Sequence, residues 1–304
     1  MDAIAQAIKT ATESLPNIKC DIDEPMQNHT SFKIGGPVRA MFFPRSAEEL
    51  MELREILGRY GLEPLIIGNG TNLLVVDAPL ELTVIKTTGM CGLSQTGDVE
   101  ITADAGISLA EIAAFACDHG LTGFEFAHGI PGTVGGAVMM NAGAYDREIK
   151  DVVFATKALS RDNSIHTFHG VEHNFAYRRS RFTGTGDILL SSVLRLQESD
   201  KNSIRARMDE LETRRQKSQP LDVPSAGSTF KRPKEGYAAE LIEKAGLKGL
   251  TIGGAQVSEK HSGFVVNRGS ATFYDIMAII EQVQETVLNE FNIRLEPEVM
   301  IVSR

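Results

Sequence analysis

Two glycine-bearing runs carry the first chemical signal. In GNGTNLL at 68–74, Gly68 and Gly70 can take positive φ and turn backbone N–H groups toward one point. Thr71 and Asn72 add side-chain donors there, and Asn69 and Leu73 complete the loop. Such a nest suits a phosphate, although a lone G-x-G serves equally as an ordinary strand-to-loop turn. The second run, GIPGTVGGAVMMNAGAY at 129–145, packs Gly129, Gly132, Gly135 and Gly136 around Ile130 and Pro131 with few charges. A flat ligand lying on bare backbone would explain that density, and Asn141 and Gly143 would extend the surface. The competing explanation is a close crossing of buried elements where only glycine fits. Together the runs suit a large dinucleotide. Neither is the Rossmann fingerprint, because GNGTNLL lacks the third glycine and a capped helix after it.

The flanking pattern supplies the elements that would hold these loops. SFKIGGPVRAMFFP reads as two short strands about a Gly35-Gly36-Pro37 turn. Ser46 and Glu49 form a capping box for a helix carrying Leu50, Leu53 and Leu57, and a strand at 64–67 then feeds the first loop. Strands are expected at 82–86 and around Val99, Ile101 and Ala103, followed by a helix over 109–118 capped by Ser108 and Glu111. Further strands fall near 152–159, 164–168 and 188–196. Beyond residue 200 come a charged helix over 202–216, a polar loop at 219–228, helices over 237–245 and 273–291, and a last strand over 294–302. The pattern is α+β, with an N-terminal helix (1–20), two lobes (21–86 and 87–200) and a C-terminal domain (201–304).

Composition narrows the class. The chain has 304 residues, 42% hydrophobic and 23% charged, which describes a folded protein long enough for more than one core. A formal net charge of −9 repels nucleic-acid phosphates. Cys20, Cys91 and Cys117 are odd in number and lack C-x-x-C spacing, so neither a disulfide framework nor a metal site is expected. The first residues carry no basic stretch typical of a signal peptide, and no apolar run is long enough to span a bilayer, so a cytoplasmic location is expected.

These runs, with YRRSRF at 177–182, PSAGSTFKRP at 224–233, GGAQVSEKHSGFVVNRG at 253–269 and LEPEV at 295–299, resemble the UDP-N-acetylenolpyruvoylglucosamine reductase family. Six motifs in one order cover nearly all of the chain from about residue 30 onward. The resemblance implies the two-lobed FAD-binding fold of the vanillyl-alcohol oxidase and p-cresol methylhydroxylase type, followed by an α+β substrate-binding domain. It implies non-covalent FAD, NADPH as hydride donor, and UDP-N-acetylglucosamine enolpyruvate as the partner substrate in peptidoglycan precursor synthesis. The short C-terminal domain resembles the subclass without the tyrosine capping loop.

The resemblance also implies roles. Arg178 aligns with the arginine that grips the substrate carboxylate, although Arg178, Arg179 and Arg181 alone read as a solvated basic turn. Ser228 aligns with the proton donor. Glu298, in LEPEVMIV, is expected between two apolar faces that would raise its pKa. Tyr177, Arg215, Arg232, Lys260 and Asn267 are candidates for the sugar nucleotide. Two other readings stay open: a different FAD oxidoreductase of the same fold, and a flavin-binding module without catalysis.

Overall fold

The computed structural model describes residues 2–303 and divides the chain into two compact units. The first holds Met1–Ile22, Arg39–Asn69 and Leu82–Arg214; the second holds Asp23–Val38, Gly70–Glu81 and Arg215–Arg304. This division is interleaved along the chain, whereas the sequence reading expects contiguous boundaries at 86 and 200.

In the first unit an antiparallel sheet runs in the order Ile165–His169, Val153–Leu159, Ile188–Arg195, Glu100–Asp104, Leu93–Gly97. Helix α3 (Leu109–Asp118) begins at a complete Ser108/Glu111 capping box and contributes Leu109, Ile112, Ala113 and Ala116 to a core shared with Ile101, Ala103 and Leu194. The second sheet has the order Lys19–Pro25, Pro37–Phe43, Leu80–Lys86, Leu65–Ile67. Against its core lie α1 (Ala3–Ser14) and α2 (Ala47–Arg59), which bury Ala7 and Ala11, and Leu50, Leu53, Ile56 and Leu57. The N-terminal helix is shorter than expected: it stops before Leu15-Pro16, where proline disfavours helical backbone at the preceding residue. Lys19 and Cys20 already belong to a strand.

The second unit is built on an antiparallel sheet ordered Ser225–Ser228, Phe264–Asn267, Ala255–Val257, Thr251–Ile252. Its long helix, Phe273–Phe291, begins at a Thr272/Asp275 capping box and buries Ile276, Ile279, Ile280, Val283 and Val287. The Phe273 N–H also donates to the Asp77 carboxylate at 2.8 Å. Leu73–Val75 pairs in parallel with Met300–Val302, and Gly36 N–H donates to Val76 O at 2.8 Å. These long-range bonds draw the 23–38 and 70–81 segments into the C-terminal unit.

One expected strand is absent and another is cut short. Ser31–Ile34 is a turn, because the Thr30 hydroxyl both donates to Ile34 O (2.8 Å) and accepts from Ile34 N–H (3.3 Å). Residues 294–299 change partners instead of forming one strand: Glu296 O accepts from Lys231 N–H, Pro297 bridges Phe230, and only Met300–Val302 enters a regular ladder.

Candidate functional site

The GNGTN loop is held by its carbonyls and not by its N–H groups. Gly70 O accepts from Ser31 N–H at 3.1 Å, and Asn72 O accepts from Met300 N–H at 2.9 Å. Among the described residues no protein acceptor takes the N–H groups of Asn69, Gly70 and Thr71, so these three donors remain available. Gly70 sits at φ +62, and a Cβ there would lie 1.9 Å from His29 O. Gly70→Ala therefore combines left-handed strain with a backbone clash, and should destabilise the protein by roughly 1–3 kcal/mol or more. Thermal unfolding should show a lower Tm and the purified variant less bound flavin; unchanged values for both would refute this reading of the loop. Asn72 departs from expectation, since its Nδ2 donates to Glu298 O at 3.0 Å.

The glycine run is only partly bare backbone. Thr133 caps α4 (Val134–Met140), and its Oγ1 would lie 2.3 Å from a Cβ on Gly68. Gly136 is exposed, but Gly135 is buried: its N–H donates to Ala105 O at 3.0 Å, and an added Cβ would lie equally close to that oxygen. Gly143 is required by a tight hairpin, where a Cβ would meet Arg147 O at 2.7 Å. Close packing therefore accounts for Gly135 and Gly143. Asn141 is also corrected. It is 0% exposed, and its Nδ2 donates to Glu148 Oε2 and Ala176 O, both at 3.1 Å, while Oδ1 accepts from Lys150 N–H at 3.0 Å. That side chain is fully engaged within the protein.

Ala176 opens the turn that carries Arg178. Reciprocal bonds between Ala176 and Arg179 (2.9 and 3.2 Å) leave Tyr177 and Arg178 at the tip, with Arg178 at φ +53. A non-glycine residue held in this region is strained, and such strain concentrates at functional sites. Arg178 lies over the Tyr177 ring at 5.0 Å. Arg181 is committed elsewhere, donating to Glu172 O and stacking on Phe168 at 3.8 Å. The basic cluster is thus resolved into residues with different surroundings.

His173, at the base of this segment, is fully buried and accepts the Arg181 N–H on its carbonyl. Gly170 O can only accept from Nδ1 (3.0 Å), so in the neutral ring Nε2 accepts the Thr156 hydroxyl at 2.9 Å. Burial holds His173 and His261 below their ordinary value of 6.5. The unfolded chain then binds protons more readily than the folded one, so stability is retained above about pH 6.5 and lost as pH falls toward the folded values. The urea midpoint should drop between pH 7.5 and 5.5, and His173→Phe should flatten part of that slope. A midpoint independent of pH across this range would contradict the burial argument.

Ser228 is presented by a bulge. Ser225 pairs with Val266 and Ser228 with Phe264, so three steps on one strand oppose two on the other, and Gly227 takes φ +77. Bulges of this kind redirect side chains, and Ser228 is exposed. The next residue, Thr229, accepts the Glu298 N–H at 2.8 Å, so the Ser228 and Glu298 segments lie side by side. The apolar surroundings expected for Glu298 are not found: its side chain is half-buried, and Met300 and Ile301 are exposed on an edge ladder.

Among the sugar-nucleotide candidates, Arg215 is half-buried in the last turn of α5 (Lys201–Ser218), and Lys260 Nζ donates to Gln216 O at 2.5 Å. Arg232 is exposed and stacks on Tyr237 at 4.0 Å. Tyr177 is 47% exposed. Asn267 is withdrawn from this group. It is buried, its Nδ2 donates to Phe32 O, and its Oδ1 accepts from Gly269 and Ala271 N–H groups.

The fold and loops define a flavoprotein of the two-lobed FAD-binding type: residues 38–169 match the FAD binding domain family. A berberine bridge enzyme variant shares this fold alone, at 14% identity and a TM-score of 0.51 over 64% of this chain. Residues 219–302 match the family described as UDP-N-acetylenolpyruvoylglucosamine reductase, C-terminal domain. The chain is 48% identical to the UDP-N-acetylenolpyruvoylglucosamine reductase of Caldanaerobacter subterraneus subsp. tengcongensis, over 95% of this chain and 96% of that protein. It is 44% identical to that of Agathobacter rectalis over 97% and 98%. The crystal structure of the Thermus caldophilus reductase matches with a TM-score of 0.80 and 32% identity, covering 94% of this chain and 99% of that one. This chain belongs to the UDP-N-acetylenolpyruvoylglucosamine reductase family.

The residues present fit FAD. The three available N–H donors of the 69–71 segment suit a pyrophosphate, and beside Gly129 the His128 Nδ1 is buried without a protein partner. Among the described residues, no helix is long and apolar enough to cross a membrane and no cluster of acidic, histidine or cysteine side chains could hold a metal.

Proposed function

We propose that this chain reduces UDP-N-acetylglucosamine enolpyruvate to UDP-N-acetylmuramate, with NADPH as reductant and non-covalent FAD. The observation that carries the mechanism is the bulge at Gly227, which presents an exposed Ser228 beside the Glu298 segment in a chain of this family. FAD, held by the 68–71 and 129–136 segments, would supply the hydride chemistry that links NADPH to C3 of the enolpyruvyl double bond. The residues of the chain must then manage the electron pair displaced toward C2 and its carboxylate. The Arg178 guanidinium suits that carboxylate, because its planar fork pairs with both oxygens and stays charged throughout. Ser228 Oγ–H supplies the proton that closes the C2 valence, leaving a methyl group and a C2–H bond where the double bond was. Glu298 borders the Ser228 segment and assists the developing enolate or returns the proton.

Gly68, Asn69, Gly70 and Thr71, with Gly129, Ile130, Pro131, Gly132 and Gly136, are the proposed FAD contacts. Leu73 supports them from a buried strand position. Tyr177, Arg215 and Arg232 are proposed to hold the diphosphate and sugar, with Lys260 bracing the Arg215 end of α5. A requirement for NADPH and a sugar nucleotide supports a cytoplasmic location. Mass analysis of the reaction tests the proposal. The substrate should gain one hydride and one proton and co-elute with UDP-N-acetylmuramate; unaltered substrate after incubation with NADPH would refute it.

A further inference from the structure

The segment carrying Arg178 has no regular secondary structure of its own, so its position must come from what it is tied to. Three side-chain bonds attach it to the C-terminal end of α4. Asn141, at φ +44 just beyond α4, donates to Ala176 O on one side of the turn. Ser180 Oγ donates to Met139 O at 2.8 Å on the other, and the Thr183 hydroxyl reaches the same carbonyl at 3.3 Å. The opposite end of α4 begins at Thr133, directly after the 129–132 glycine segment and in close approach to Gly68. A single short helix therefore joins the flavin loops to the arginine turn. Asn141 and Ser180 are both buried, and at Asn141 only an amide serves fully: Nδ2 must donate to two acceptors while Oδ1 accepts one N–H.

We propose that Asn141 is a positioning residue for the reductase reaction, holding the strained Tyr177–Arg178 turn in register with the flavin loops through Ala176 O. The inference rests on the proposed function, since it concerns how Arg178 meets the substrate. It separates Asn141 from the cofactor contacts: its loss should impair the step that uses Arg178 and spare the step that does not.

Asn141→Asp is the informative variant. A protonated aspartic acid retains one donor for Ala176 O, whereas the carboxylate has none and faces an acceptor. Around it stand Glu148, paired with Lys150, and Asp151, bridged to Arg147, with Arg178 and Arg179 on the turn itself. Burial and the neighbouring Glu148 favour the protonated form at low pH, with ionisation as pH rises. Stopped-flow measurement should show flavin reduction by NADPH unchanged at every pH. Reoxidation by the enolpyruvyl substrate should be near the parent rate at acid pH and fall by about 100-fold as pH rises, a size typical of small misplacements of a catalytic group. Ser180→Ala, which removes the stronger of the two bonds to Met139 O and leaves that from Thr183, should slow the same half-reaction without the new pH dependence. Equal slowing of both half-reactions, or neither variant slowing reoxidation, would overturn the proposal. A parent protein that reduces its flavin but never passes the hydride to substrate would instead defeat the proposed function.

Discussion

Ser228→Ala should bind FAD, accept hydride from NADPH at the parent rate, and then stall. The serine contributes a proton only after hydride has reached the substrate, so removing its hydroxyl should leave the first half-reaction untouched. The second should slow by about 100- to 10,000-fold, the range for losing a positioned acid. The structural cost of the substitution is small: Ser228 is exposed, its ladder contact with Phe264 uses the backbone, and the bulge depends on Gly227. A stopped-flow trace resolving both half-reactions checks this. Normal turnover, or a parallel loss of flavin reduction, would remove Ser228 from the proposed role.

Arg178→Lys should have an effect of comparable size for a different reason. Charge is preserved, but the planar fork is lost, and a lysine at φ +53 bears the same backbone strain without making the bidentate contact that would offset it. Loss of one charge-stabilising donor is expected to cost about 100- to 1,000-fold in kcat with the enolpyruvyl substrate. NADPH-driven flavin reduction should stay intact. Arg179→Lys, one position along, should be nearly silent, because Arg179 is exposed and off the tip of the turn. If both lysine variants behave alike, the guanidinium of Arg178 has no special place.

Elements governed by local pattern were readable from the sequence. The Ser108/Glu111 capping box and the apolar stripe of Phe273–Phe291 are set by neighbours three and four residues away, and both helices form as the spacing indicates. What the sequence hid depends on distant partners. Nothing in LEPEVMIV or GNGTNLL shows that Met300–Val302 pairs with Leu73–Val75, yet that pairing interleaves the two units and turns Asn72 toward Glu298 O. Nothing near Ser31–Ile34 shows that the Thr30 hydroxyl takes the bonds a strand would need.

The site was legible by residue type and much less so by role. Glycine density correctly marked a segment with special backbone demands, but it could not separate Gly136, which is exposed, from Gly135 and Gly143, which answer to close packing. Asn141 closes a helix and Asn267 ends a strand, positions where an amide reads as a ligand donor. In both, the side chain is taken up inside the protein, with one bond to a backbone carbonyl far along the chain and the rest to near neighbours. The signal for Asn141 was its place directly after an apolar helix, where asparagine adopts the left-handed cap. Ser228 carried no local signal beyond the glycine before it; the bulge appears only when its strand is registered against Phe264–Asn267.

NADPH absorbance, followed with and without UDP-N-acetylglucosamine enolpyruvate, tests the central claim most directly. Substrate should drive continuous NADPH oxidation, stoichiometric with the substrate consumed. NADPH consumption unaffected by the enolpyruvyl substrate would contradict the account.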